Sequence, residues 1–434
     1  MSGTGPKHPV VVDPAASRFL VMPAGVTLVE PGGLSPGVTY PRGFLAAGVA
    51  AGIKESGRKD LGVVAVAPEY RADTVGAAVF TTNSFAAAPV LLSRKETSVA
   101  TLAAVVMNSG NANACTGPAG LTAARAMQNT AAQALGLAAD RVGVASTGII
   151  GVPLSGVKAA QGVRAAVAAL SPSGGRDFAE SILTTDRFAK VGAFDVATDD
   201  GVIRLGACAK GAGMISPSMA TMLCLVTTDA GIAPSVARSL LMREVGHTFN
   251  RISVDGQMST NDCVFLLANG ASNVRLSATG VTQLGAALRA LLLRLALMMV
   301  ADGEGATKVV HLRVKGARSD DDARAVSRAV GDSPLVKTAM YGCDPNWGRI
   351  LSAAGAALPN RSFPAVCLDI GGVRLVENAG AVALSEEERA RLREVMDGSE
   401  VDIVLDLQSG VAADEIYFSD LGHDYVTINA EYHT

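Results

Sequence analysis

Chemistry is concentrated in one string, Lys210-Gly211-Ala212-Gly213-Met214-Ile215-Ser216-Pro217-Ser218-Met219-Ala220-Thr221-Met222-Leu223, which puts a hydroxyl residue behind the small Ala220 midway along 434 residues. A threonine hydroxyl inside a chain is a poor nucleophile. On a strained bond, however, it can attack the preceding carbonyl, move the acyl group from N to O and leave an ester for water to cut. The amine so released has a reference pKa of about 7.7 to 8.0, so a useful fraction is neutral at physiological pH and can act as base for the hydroxyl of the same residue. Scission between Ala220 and Thr221 would thus place nucleophile and base on one residue. On spacing alone the plainer reading of Thr221, a residue that caps or starts a strand, stays open.

A second string, Ala145-Ser146-Thr147-Gly148-Ile149-Ile150-Gly151, stands at the end of an expected strand. A glycine N–H beside a hydroxyl there can face a developing oxyanion, and such donors are worth about 2.7 to 4 kcal/mol each in acyl transfer. An ordinary strand-to-loop glycine is the alternative.

The elements that must position these groups are legible in outline. The Gly-Ala-Gly stretch and Pro217 oppose helix and central strand, which makes a shaped loop, and Met222 to Thr227 reads as a buried strand behind it. Strands are expected at Val63 to Ala67, Ala77 to Thr81, Ala103 to Met107, Val142 to Ala145, Val202 to Ala207, Cys263 to Leu267, Val309 to Val314 and Val401 to Leu407. Helical spacing marks Leu121 to Leu135, Val157 to Leu170, Ser235 to Phe249 and Leu284 to Met299, and Ser385 with Glu388 forms a capping box for a charged helix ending at Gly398. This alternation predicts an α/β protein of mixed sheets layered with helices.

With 49% hydrophobic and 18% charged residues the chain suits a globular protein with a large core, and with 4% aromatics that core must be built of Ala, Val and Leu. A net charge of -3 argues against nucleic acid as partner. The six cysteines show no Cys-x-x-Cys pair, lie mostly in apolar strand-like runs and read as buried free thiols, with a zinc site the remote alternative. Arg289 and Arg294 interrupt the apolar run Ala286 to Val300, so a buried helix is expected there, not a membrane anchor. Residues 1–36 read as an N-terminal extension, poorly ordered and without the build of a secretory signal.

From about Gly37 onward the strings resemble the ornithine acetyltransferase family, the glutamate N-acetyltransferases of arginine biosynthesis. The resemblance runs through Pro41-Arg42-Gly43-Phe44, Val79-Phe80-Thr81-Thr82-Asn83, Asn108 to Gly117, Ser146-Thr147-Gly148 and Thr184-Thr185-Asp186. It continues through the Lys210 to Leu223 string, Ser259-Thr260-Asn261-Asp262, Asp302-Gly303-Glu304-Gly305, Asp344 to Arg349 and Asp424 to Thr434.

The resemblance implies two α/β lobes with the active site between them, in a self-processing enzyme of N-terminal-nucleophile type. An α chain of 37–220 and a β chain of 221–434 would be released by the cut between Ala220 and Thr221, and the two would assemble as α2β2 in the cytoplasm. It implies ping-pong transfer of acetyl from N-acetylornithine to Thr221 and then to glutamate, with ornithine leaving, and no metal or organic cofactor. Whether acetyl-CoA also serves as donor is left open. Thr147 and Gly148 correspond to an oxyanion hole; Thr184 or Thr185, Lys210, Thr221, Glu304, Asn429 and Thr434 correspond to substrate ligands. Arg187, where a small polar residue is common in the family, bears on substrate choice. Two alternatives keep the same cut: an amidase or aminopeptidase in which water takes the acyl group, and a secondary-metabolism acetyltransferase acting on another N-acetyl amino acid.

Overall fold

A computed structural model of the chain describes residues 17–29, 37–216 and 222–431. Ala220, Thr221 and Thr434, on which the expected scission, nucleophile and C-terminal ligand fall, lie outside the described residues.

Two sheets stack face to face. One has six strands in the order Val26–Leu28, Lys190–Thr198, Gly201–Lys210, Leu223–Thr228, Cys263–Ala268 and Val75–Phe80. The other has four, in the order Phe44–Val49, Leu61–Val66, Ala104–Asn108 and Val142–Ser146. Between them lie Phe44, Val64, Val66, Val105 and Met107 from the smaller sheet and Cys208, Leu223, Leu225, Phe265 and Leu267 from the larger. The outer face of the smaller sheet, with Val63, Ala65 and Val106, is covered by helices Gly117–Leu135 and Gly156–Ala168. Helices Pro234–His247 and Ala278–Ala301 cover Val196, Leu205, Val226 and Leu266 on the far side of the larger sheet. A helix–sheet–sheet–helix sandwich results.

This layering explains the sequence pattern. A strand buried on both faces loses the alternation of a half-exposed one, and all six residues of Leu61–Val66 are buried. Ala278–Ala301 is the one helix among the described residues long and apolar enough to cross a membrane, and it lies largely inside the core.

A second lobe is built on a seven-stranded sheet, Ile252–Ser253, Ala412–Ser419, Val309–Ala317, Glu400–Asp406, Cys367–Ile370, Val373–Glu377 and Gly380–Ala381. Val310, Leu312, Val314 and Ile403 pack there against Val326 and Val330 of helix Asp320–Gly331 and Leu392 and Met396 of helix Glu386–Asp397. Both halves of the expected capping box form, with Ser385 accepting from the Glu388 N–H and Glu388 accepting from the Ser385 N–H.

The expectation of a poorly ordered stretch over 1–36 is corrected for 17–29. Val26–Leu28 adds an antiparallel edge to Lys190–Thr198, with Thr27 opposite Asp195. Phe19 packs edge-on against His311, their ring centres 5.1 Å apart. Three residues of strand carry too short a period to be recognised before their partner is known.

Candidate active site

The central loop is positioned by a hairpin. Strand Gly201–Lys210 pairs antiparallel with Leu223–Thr228, Lys210 standing opposite Leu223, so the loop carrying the expected scission closes between them. Its described part, 211–216, has no regular structure, in keeping with the expectation of a shaped loop. Asp255 fixes that part: its carboxylate accepts from the Met214 N–H at 2.5 Å, the Ile215 N–H at 2.9 Å and the Gln257 N–H at 3.1 Å. Met222, the first described residue beyond, is buried, and its carbonyl accepts from the Cys263 N–H at 3.0 Å.

Over this loop opens a cavity of about 270 Å³ whose lining includes Thr147, Gly148, Thr184, Thr185, Lys210, Glu304 and Asn429. Every sequence-derived candidate within the described residues is therefore at one place, although the seven come from five separate stretches of chain.

Thr147 follows strand Val142–Ser146 directly, and its N–H donates to the Asn108 carbonyl at 3.0 Å. Gly148 has φ +129°, and a Cβ there would lie 2.4 Å from the Gly110 carbonyl carbon and 2.5 Å from the Asn111 nitrogen. Only glycine fits this close approach of two backbones. Asn261 braces the floor by donating to the carbonyls of Ala112 at 2.6 Å and Ser146 at 2.8 Å.

Lys210 Nζ donates to the Thr147 hydroxyl at 3.4 Å and lies 3.9 Å from the Asp186 carboxylate. Burial lowers the pKa of Lys210, and Asp186 opposes that shift. Asp186 accepts from Lys190 at 2.6 Å, from the Gly211 N–H at 2.6 Å and from the Thr184 N–H at 3.0 Å. Burial alone would raise its pKa, but the charges of Lys190 and Lys210 outweigh that effect and hold it well below the usual carboxylate range. Lys190 also bonds Asp302 at 2.6 Å, and Asp302 receives Arg187 Nε at 2.8 Å. Arg187 is thus turned onto the end of helix Ala278–Ala301 and is not among the residues that line the cavity.

Glu304 hangs from the turn after that helix, its N–H donating to the Ala212 carbonyl at 3.0 Å. Its carboxylate accepts from Asn429 Nδ2 at 2.7 Å. Asn429 and Tyr425 lie on the last helix, His423–Glu431, which can approach because Gly305 has no side chain: a Cβ there would sit 2.8 Å from the Tyr425 nitrogen. Burial, with Asp255 next, pushes the Tyr425 hydroxyl up to about 12. The cavity therefore offers the hydroxyls of Thr147, Thr184 and Thr185, the Lys210 amine, the Glu304 carboxylate and the Asn429 amide, with Ala112, Ile150, Met214 and Met258 as apolar walls.

Several of these residues carry no role in the sequence reading. Asp186 and Asp302 sit inside quoted strings, which is the signal that could have marked them. Tyr425 likewise sits inside the Asp424 to Thr434 string, whereas Asp255 and Met258 give no such signal, because their approach to the cavity depends on the folding of distant segments.

The ArgJ family profile matches residues 45–434. A protein described as "Arginine biosynthesis bifunctional protein ArgJ" from Symbiobacterium thermophilum is 45% identical, over 92% of this chain and 99% of that protein. One of the same description from Nitratidesulfovibrio vulgaris is 45% identical, over 90% of this chain and 98% of that protein. A crystal structure of ornithine acetyltransferase complexed with ornithine, from Mycobacterium tuberculosis, is 40% identical, covers 44% of this chain and 98% of that chain, and has a TM-score of 0.40. With a profile match over nearly its whole length and relatives of this identity over nine-tenths of it, the chain belongs to the ArgJ family.

Proposed function

We propose that this chain is an acyltransferase of arginine biosynthesis that cuts itself between Ala220 and Thr221 and carries acetyl from N-acetylornithine to glutamate on Thr221. The observation that carries this reading is the convergence of Thr147, Gly148, Thr184, Thr185, Lys210, Glu304 and Asn429 on one cavity over the loop between Lys210 and Leu223.

In the first half-reaction the α-amine of Thr221 takes the hydroxyl proton, the oxygen attacks the acetyl carbon, and the negative charge forms on the former carbonyl oxygen. Thr147 and Gly148 supply a hydroxyl and a backbone N–H to that oxyanion. Because Lys210 donates to the Thr147 oxygen, the threonine hydrogen is left to point at the substrate. The C–N bond breaks, ornithine leaves with the proton, and glutamate repeats the sequence in reverse. Lys210 suits an α-carboxylate, while Glu304 backed by Asn429 suits the side-chain amine of ornithine. Thr434 would close the site from the chain end, next to the helix that bears Asn429.

Scission would leave parts of 37–220 and 221–434, preceded by the 1–36 segment. The two strands from beyond the cut, Leu223–Thr228 and Cys263–Ala268, lie side by side between strands from before it in the six-stranded sheet, so the two parts remain joined by backbone hydrogen bonds and a shared core. Pairing of two such units as α2β2 and a cytoplasmic place belong to the same reading.

Ornithine release from N-acetylornithine, measured with and without glutamate, tests the proposal. Release that depends on glutamate is expected, whereas equal release in its absence would identify water as the acceptor and the protein as an amidase. Acetyl-CoA offered with glutamate alone tests the second donor.

A further inference from the structure

One buried acid beside the junction is used by nothing described so far. Asp262 closes the Ser259-Thr260-Asn261-Asp262 turn that leads into strand Cys263–Ala268 and is 2% exposed. Neither carboxylate oxygen has a hydrogen-bond partner among the described residues. An acid left so deep without a partner is costly and calls for a reason.

Its position is set by the sheet. Strand Cys263–Ala268 runs parallel to Leu223–Thr228 with Cys263 opposite Leu223, and the Cys263 N–H is bonded to the Met222 carbonyl. Asp262 therefore flanks Met222, and its own carbonyl accepts from the Thr81 N–H at 2.8 Å. The groups that face its carboxyl are the Met222 N–H, the Lys210 amine and the hydroxyls of Ser259 and Thr81. Burial outweighs all of them and pushes the carboxyl well above its ordinary pKa. By covalent geometry the nitrogen of residue 221 lies only three bonds from that of Met222.

We propose that the Asp262 carboxyl is the acid–base group for the nitrogen of residue 221, giving it a proton as the Ala220–Thr221 amide opens and afterwards holding the new amine. The step balances. The Thr221 oxygen bonds to the Ala220 carbonyl carbon, the carbon–nitrogen bond breaks, the nitrogen receives the Asp262 proton, and the hydroxyl proton returns to Asp262. Water then hydrolyses the ester to the Ala220 carboxylate and the free threonine hydroxyl. This inference rests on the scission proposed above.

Asp262→Asn keeps the shape and cannot cycle a proton. Freshly purified chain, followed by intact mass, is expected to cut at least about 10²-fold more slowly than the native chain while melting cooperatively. Hydroxylamine, which cleaves an ester but not an amide, should hasten scission of the native chain and leave the Asn variant uncut, placing the block before the acyl shift. Native-rate scission in Asp262→Asn overturns the role of Asp262. Should that variant fail to fold, Asp262→Glu decides: it retains a carboxyl and should cut slowly, and a folded Glu variant that never cuts sets the proton-transfer role aside. Thr221→Ala run alongside separates the two claims, because a cut Ala variant refutes the scission itself whatever Asp262 does.

Discussion

Replacing Gly213 by alanine perturbs one cavity wall with little cost to the fold. Gly213 is not among the positive-φ glycines, so an alanine meets no backbone strain there. Its Cβ would lie 2.6 Å from the Glu304 carboxyl carbon and 2.7 Å from Oε2. That overlap falls on the free end of a long side chain, which can swing away from Asn429 without moving the Glu304 N–H bond to Ala212. If Glu304 holds the ornithine amine, moving it forfeits a charge-assisted hydrogen bond worth about 1.5–3 kcal/mol. At 1.4 kcal/mol per factor of ten, KM for N-acetylornithine should rise about 10- to 10²-fold. The assay is steady-state transfer with N-acetylornithine varied at saturating glutamate, on protein shown by mass to be fully cut and by melting to be folded. An unchanged KM in that material would refute the placement of Glu304 against the substrate.

Gly148→Ala is a different perturbation, since its Cβ meets backbone at Gly110 and Asn111 and φ is +129°. Loss of the oxyanion N–H should lower kcat by about 10² to 10³, with a lower Tm, and a native kcat would exclude Gly148 from the hole. Asp186→Asn removes the acid between Lys190 and Lys210 and should cost about 3–5 kcal/mol in urea unfolding at neutral pH. The sign follows from a folded pKa below the unfolded one: the contribution is fully present above the unfolded value of about 3.9 and fades as pH falls toward the folded one. The native-to-variant gap should therefore hold from pH 7 to about pH 5 and shrink only below about pH 4, and a gap that closes between pH 7 and 5 would contradict the pairing. Deleting Tyr432 to Thr434 should leave scission intact and remove most transfer; full transfer would detach the chain end from the site.

What could be read from the chain follows the range of the interactions. Runs such as Leu61–Val66 and Cys263–Ala268 announce themselves because burial on both faces writes a continuous apolar stretch into adjacent positions. The Ser385 capping box is likewise complete within four residues. Strand order is not local: nothing near Val26 names Val196 as its partner, and nothing near Ile252 names Tyr417. The site divides along the same line. Thr147, Gly148, Lys210 and Glu304 were reached through recognisable strings, whereas Asp255 matters only because the chain brings it under Met214 and Ile215.

Charges beside the cavity are paired in sequence, from the exposed Arg187 inward to the buried Lys210. Arg187, Asp302, Lys190, Asp186 and Lys210 form a chain in which each acid lies between two cations, ending at the Thr147 hydroxyl. Pairing of this kind offsets the desolvation that would otherwise neutralise a buried lysine. Glu304, outside the chain, is bonded by the neutral amide of Asn429. Under the function proposed above, a substrate with a carboxylate for Lys210 and an amine for Glu304 would complete both pairings.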